Sequence, residues 1–173
     1  MFVEEEFIQA CVAALREEES VLAIKEVVAR AVRERNIDER LSGVPGTRVL
    51  YCDPTLTVAH VVSPPGSPRS LPHDHRMWAV VGIAAGQEDN EFFRRSSPVL
   101  ESVNGMSLQE GETLAMGPEA IHAIGNPMRS RATSTLRVYG GDLINVQRSM
   151  WTGPERHEEP YDPLRATGTT ASN

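Results

Sequence analysis

His73 and His75, separated only by Asp74, open the stretch Leu71-Pro72-His73-Asp74-His75-Arg76-Met77-Trp78-Ala79-Val80-Val81-Gly82. Two imidazoles entering an apolar run read as the rim of a β-strand. Side chains of a strand alternate between faces, so His73 and His75 project the same way and Asp74 the opposite way. Imidazole is a ready ligand for zinc, iron and other first-row ions, and a pair on one face of a sheet supplies part of a metal site. The pair is incomplete without a third ligand from elsewhere. His60, inside the run Leu56–Val62, reads as a hydrogen-bonded barrel or surface histidine, and His157 lies in a polar loop. Neither reads as a ligand. Cys52 has no base placed beside it and is no nucleophile.

The elements that must hold such a site are legible in outline. The chain has 173 residues, enough for one domain with a real core. A net charge of -7, with no basic block, argues against a nucleic-acid surface. Cys11 and Cys52 read as free thiols of a reducing compartment. Glu4, Glu5 and Glu6 stand where a signal peptide needs positive charge, and no apolar run approaches a membrane span. The expected location is cytoplasmic, with no membrane partner.

Phe2 to Leu15 carries apolar residues at helical spacing (Phe7, Cys11, Leu15; Ile8, Val12), with acids at its front end. Ser20 is placed to cap a second helix whose stripe is Val21, Ile24, Val28 and Val32, ending in the charged run to Arg40. Ser42-Gly43-Val44-Pro45-Gly46 breaks the pattern. From Thr47 the texture becomes short alternating runs divided by turn residues, which predicts an antiparallel β domain. Strands are expected near Arg48–Cys52, Leu56–Val62, Met77–Ala84, Glu91–Arg95, Pro98–Val103, Thr113–Met116, Ile121–Gly125 and Thr135–Tyr139. Their number and spacing fit a jelly roll or small barrel. The expected organisation is a single domain: helices over 1–46 packed on the outside of a sheet, a barrel over 47–150, and an irregular tail over 151–173.

His122 sits in Gly111-Glu112-Thr113-Leu114-Ala115-Met116-Gly117-Pro118-Glu119-Ala120-Ile121-His122-Ala123-Ile124-Gly125-Asn126. An HxH before an apolar strand, closed by Gly86, then a second block of glycine, proline, histidine and asparagine, resembles the two motifs of the cupin superfamily. The proline is displaced by one position. The resemblance implies a mainly β fold, the double-stranded β-helix or jelly-roll barrel, here preceded by helices. Most metal cupins place a glutamate four or five residues after the second histidine, where this chain has Ala79 and Val80. The ligand set so implied is three neutral imidazoles, His73, His75 and His122, as in the thiol dioxygenase branch (cysteine and 3-mercaptopropionate dioxygenases). Pro72 to Gly82 and Leu136-Arg137-Val138-Tyr139-Gly140-Gly141-Asp142-Leu143 resemble the bacterial members of that branch.

Further roles follow from the resemblance. Tyr139 matches a catalytic tyrosine beyond the third histidine, and Arg148 matches an arginine that holds the substrate carboxylate. The family's Ser-His-Tyr relay falls on Thr135, Arg137 and Tyr139, so arginine replaces histidine. In a regular strand Arg137 faces the same side as Tyr139 and offers a second anion contact, or else it pairs with a carboxylate such as Asp142. The cofactor implied is Fe(II) and the reactants are a small thiol and O2. Three neutral ligands leave the metal its full double charge, which favours an anionic substrate and deprotonates a coordinated thiol. Holding both reactants together removes roughly 7–11 kcal/mol of entropic cost when alignment is good. The expected product is the sulfinate. A cupin metalloenzyme with a non-thiol substrate, a hydrolytic zinc site and a non-catalytic ligand-binding cupin are the alternatives, and the assembly state is left open.

Overall fold

The computed structural model describes residues 1–34, 36–41, 43–96 and 99–167. Ser42 of the expected breaker, Pro98 of an expected strand and 168–173 of the expected tail lie outside them. The helices are α1 (Glu4–Ala14), α2 (Ser20–Ala31), α3 (Ile37–Leu41) and α4 (Pro163–Ala166). The strands are β1 (Gly46–Cys52), β2 (Thr57–Ser63), β3 (His73–Asp74), β4 (Ala79–Ala85), β5 (Gln87–Ser96), β6 (Val99–Gln109), β7 (Thr113–Met116), β8 (Ile121–Gly125), β9 (Thr133–Tyr139), β10 (Ser149–Thr152) and β11 (His157–Pro160).

These strands form two sheets, ordered β1-β2-β9-β4-β7 and β11-β10-β3-β8-β5-β6, with antiparallel pairing throughout. Alternation along β4 shows how one strand serves two layers. Val80 and Ala84 join the core beneath the helices, with Ile24 and Val28 of α2, while Ala79, Val81 and Ile83 join the barrel interior with Ala59 and Tyr139. Gly82 lies on the helix side, where an added Cβ would stand 2.5 Å from Val28 Cγ1, so the missing side chain sets how closely α2 seats on the sheet. Trp78 packs against this outer core, and its indole occupies the space that a side chain at Gly140 would need.

Five local expectations are corrected. The charged stretch to Arg40 does not continue α2, which stops at Ala31, and Ser20 is the first helical residue, so Glu19 occupies the cap position without a side-chain bond. The HxH pair does not share a strand with the apolar run. Arg76 has φ 59°, and this turn sends β3 to one sheet and β4 to the other. The strand expected near Pro98–Val103 does not stop there either: β6 runs on through Asn104 and Gly105 to Gln109, and the extra residue is taken up as a bulge opposite Phe92/Phe93. Finally, the tail expected to be irregular from residue 151 is ordered at its start. β10 and β11 form a hairpin that extends the second sheet through β3, and Leu71 N–H donates to the carbonyl of Ala166. Asp162 caps α4 by accepting from Leu164 N–H.

Candidate metal centre

The three histidines arrive from two adjacent strands and a turn. His73 of β3 is in register with His122 of β8, and His75 follows just beyond the end of β3. Their ring centroids are 5.2 Å apart for His73–His75, 4.9 Å for His73–His122 and 5.0 Å for His75–His122. One nitrogen from each ring lies within 4.8 Å of the others, and all three residues are buried. Asp74 points away from them, as alternation requires. It accepts from Ser149 N–H at 2.8 Å and pairs with Arg76 Nε at 2.8 Å, which ties β3 to β10 behind the site.

The outer hydrogen bonds fix which nitrogen faces inward. His73 Nδ1 is 3.0 Å from the carbonyl oxygen of Leu71, and His122 Nδ1 is 3.0 Å from Asn90 Oδ1. A carbonyl oxygen only accepts, so Nδ1 carries the proton in both rings and Nε2 keeps its lone pair. His122 Nε2 is buried with no hydrogen-bond partner. An orphaned lone pair at such a place is costly unless something fills it. Three convergent nitrogens with one left unpartnered fit a metal ion, and the oriented Nδ1–H bonds are the outer support that metal-bound histidines commonly have.

Burial keeps the rings neutral. It pushes His73 down to about 4, partly opposed by the Leu71 bond and assisted by the nearby charges of Arg148 and Arg137. His75 and His122 are also held well below the usual histidine range, by burial first and then by their neighbours. Neutral imidazole is the form that binds a metal. Among the described residues, no carboxylate joins this group.

A cavity of about 1100 Å³ opens onto the centre, with His73, His75, Tyr139, Arg137, Arg148 and Tyr161 in its wall. Tyr139 of β9 is buried with its ring 5.0 Å from that of His75. Burial raises its pKa and Arg137 pulls the other way, with a net rise, so the phenol keeps its proton at neutral pH. Arg148 lies just before β10, with Cζ 3.3 Å from the Tyr161 ring centroid and Nη1 donating to the Asp74 carbonyl at 3.3 Å. Among the described residues, no acidic side chain forms an ion pair with it. Arg137 is different. It pairs with Glu88, and its Nε donates to Thr135 Oγ1 at 3.1 Å. The carboxylate beside it is therefore not Asp142, which instead accepts from Asn145 and Cys52.

Of the other histidines, His60 is buried with Nε2 2.9 Å from Ser134 Oγ, and His157 is an exposed partner of Glu155. Both cysteines are free thiols. Sequence reasoning missed Tyr161, which nothing in its local sequence marks. It also missed the supporting places of Asn90 and Glu88, which lie in a polar run ahead of the strand expected from Glu91.

No family model matches the chain. Its structure is similar to that of a cupin superfamily protein from Desulfitobacterium hafniense, with a TM-score of 0.50 and 12% identity over 64% of this chain and 92% of that one. A protein from Bacillus halodurans gives a TM-score of 0.51 and 11% identity over 72% of this chain and 86% of that one. An RmlC-like cupin family protein from Methanocaldococcus jannaschii gives 0.47 and 15%, over 59% and 86%. The fold is the cupin double-stranded β-helix. Within that class, this chain carries a three-histidine group able to hold a metal ion. Among the described residues, no helix is long and apolar enough to cross a membrane.

Proposed function

We propose that this protein is a mononuclear iron(II) thiol dioxygenase that converts a small thiol, a mercaptoacid or aminothiol such as 3-mercaptopropionate or cysteine, to its sulfinate. One O2 is consumed per thiol and both oxygen atoms end on sulfur. The observation that carries the reading is the all-imidazole donor set, buried and without a carboxylate among the described residues. When bound there, iron(II) supplies the positive charge that favours a thiolate and the redox couple that dioxygen chemistry needs.

The chain's own residues do the rest. His73, His75 and His122 would hold the ion, and burial excludes water from their outer sides. Arg148 offers a guanidinium on the cavity wall, held by stacking on Tyr161. Its planar fork suits a carboxylate, which lysine would bind only as a point charge. Tyr139 keeps the proton on Oη and so acts as a donor toward a substrate beside His75. Reactants are a small thiol and O2, with a cytoplasmic setting.

The cavity volume, about 1100 Å³, favours a second reading, a cupin metalloenzyme acting on a larger non-thiol substrate. Anaerobic purification with metal analysis, then oxygen uptake with cysteine, 3-mercaptopropionate, cysteamine and mercaptosuccinate, separates the two. Iron with uptake on one of these thiols and sulfinate formation supports the dioxygenase. Zinc without uptake favours the second reading, and a protein that takes up no metal points to a ligand-binding cupin.

A further inference from the structure

Arg137, Glu88, Asn90 and His122 form one buried line of hydrogen bonds across the barrel. Arg137 stands on β9 of the first sheet, while Glu88 and Asn90 on β5 and His122 on β8 belong to the second. None of the four is more than 3% exposed. Arg137 Nη2 donates to Glu88 Oε2, Asn90 Nδ2 donates to Glu88 Oε1 at 3.3 Å, and His122 Nδ1 donates to Asn90 Oδ1 at 3.0 Å. Glu88 and Asn90 share the inward face of β5 by alternation, whereas Asp89 between them bonds Ser107 at 2.6 Å.

The line has a direction, and the charge at its far end sets it. Arg137 can only donate, so it favours Glu88 as a carboxylate, which can only accept. Asn90 must then turn its amide NH2 toward Glu88 and its carbonyl toward His122. That carbonyl in turn requires the proton on His122 Nδ1, leaving Nε2 bare. Phe92, stacked on His122 at 6.0 Å and 21°, fixes the ring plane. The same bonds hold the Glu88 carboxylate out of the triad.

We propose that Arg137, Glu88 and Asn90 are positioning residues for His122, a directional hydrogen-bond chain that presents its Nε2 to the metal. The inference rests on the metal-binding reading of the triad and not on the substrate. It gives Arg137 a task other than binding an anion.

Cobalt(II) is the probe. Metal-free wild type, Asn90→Ala and Glu88→Gln are titrated with it, following the visible absorption bands and measuring affinity against a competing chelator. Gln is isosteric with Glu, but Arg137 can only donate and so holds the Gln carbonyl toward itself. This turns the Gln NH2 toward Asn90 and, through it, the Asn90 NH2 toward His122 Nδ1; Glu88→Gln thus reverses the direction while preserving shape. Both single variants are expected to lose roughly 10- to 100-fold in affinity, the usual range for outer partners of metal ligands, with an altered cobalt spectrum. The exchange variant Glu88→Gln/Asn90→Asp restores the direction, since Gln accepts from Arg137 and donates to Asp, and Asp accepts from His122. It also keeps one buried negative charge. Its affinity is expected to return to within a few-fold of wild type, an outcome that a purely structural role would not produce. Wild-type affinity in both folded single variants, or an exchange variant that folds and binds no better than they do, overturns the proposal. If the single variants fail to fold, the exchange variant decides. A wild type that binds no cobalt removes the metal reading itself, and the proposal with it.

Discussion

Arg137 on β9 and Glu88 on β5 form an ion pair in which both side chains are almost closed to water, at 3% and 2% exposure. Burial alone would push the guanidinium's pKa down, but Glu88 beside it more than offsets that, and the net shift is upward. Such a pair is expensive to break and far less so to replace. Arg137→Met alone leaves a buried, unpaired carboxylate and is expected to cost about 3–5 kcal/mol, whereas adding Glu88→Met is expected to recover most of that, short of wild type by the roughly 1–3 kcal/mol of the buried Asn90 amide left without its acceptor. Urea unfolding of the metal-free proteins checks this. A double variant as unstable as the single would show that the two charges are not coupled.

Arg148 lines the same cavity without an ion-pair partner among the described residues, so its fork is available to a ligand. Arg148→Ala is expected to lower kcat/KM for a mercaptoacid roughly 10- to 100-fold, mainly through KM, as for loss of a charge-assisted hydrogen bond of about 1.5–3 kcal/mol. Cysteamine has no carboxylate and should be little affected. Steady-state oxygen uptake with both substrates provides the comparison. Equal losses on the two would remove Arg148 from the carboxylate site.

The fold was readable where local pattern and tertiary role agree. Val80, Ala84 and their alternates Val81 and Ile83 mark a strand packed on both faces, and the stripe Ile24–Val28 marks the helix it meets. The separation of β3 from β4 was not readable, because a positive φ at Arg76 leaves no trace in residue type. The β10–β11 hairpin was missed for a related reason. Its acidic residues look like loop until Glu158 finds Arg95 and Arg76, and Glu159 finds Arg165, none of which a local window could anticipate for such short strands. In the site, HxH announced itself by spacing. Glu88 and Asn90 did not, because Gln87-Glu88-Asp89-Asn90-Glu91 reads as solvent-facing until the distant Arg137 and His122 are placed beside it.

Metal binding at the triad must stabilise the folded chain, since the unfolded chain has no preformed site. At a free metal concentration 100 times Kd, one site adds about 2.7 kcal/mol. For a chain of this size that is a rise in Tm of about 5–10 °C. Iron(II) under anaerobic conditions, or cobalt(II), is expected to produce this shift in wild type, and a chelator to reverse it. His122→Ala should abolish it. His157→Ala, at an exposed histidine paired with Glu155, should keep it. A shift that survives His122→Ala would place the metal elsewhere.

The pH dependence of the metal-free protein follows from the same buried rings. An unfolded histidine titrates near 6.5, whereas His73 in the fold titrates at about 4 and His75 and His122 are also depressed. Between these limits the unfolded chain binds more protons than the folded one, so stability falls as pH drops below about 6.5. For His73 the loss levels off once pH passes below its folded value of about 4. Each imidazole that stays neutral in the fold contributes a slope of about 1.4 kcal/mol per pH unit in that window. His73→Gln removes one of them. Its stability, measured by urea unfolding from pH 7 to 4.5 in a chelating buffer, is expected to fall less steeply than that of wild type by about that amount. Parallel curves would mean that His73 takes up its proton in the folded state as readily as in the unfolded chain, and that burial does not hold the ring in its ligating form.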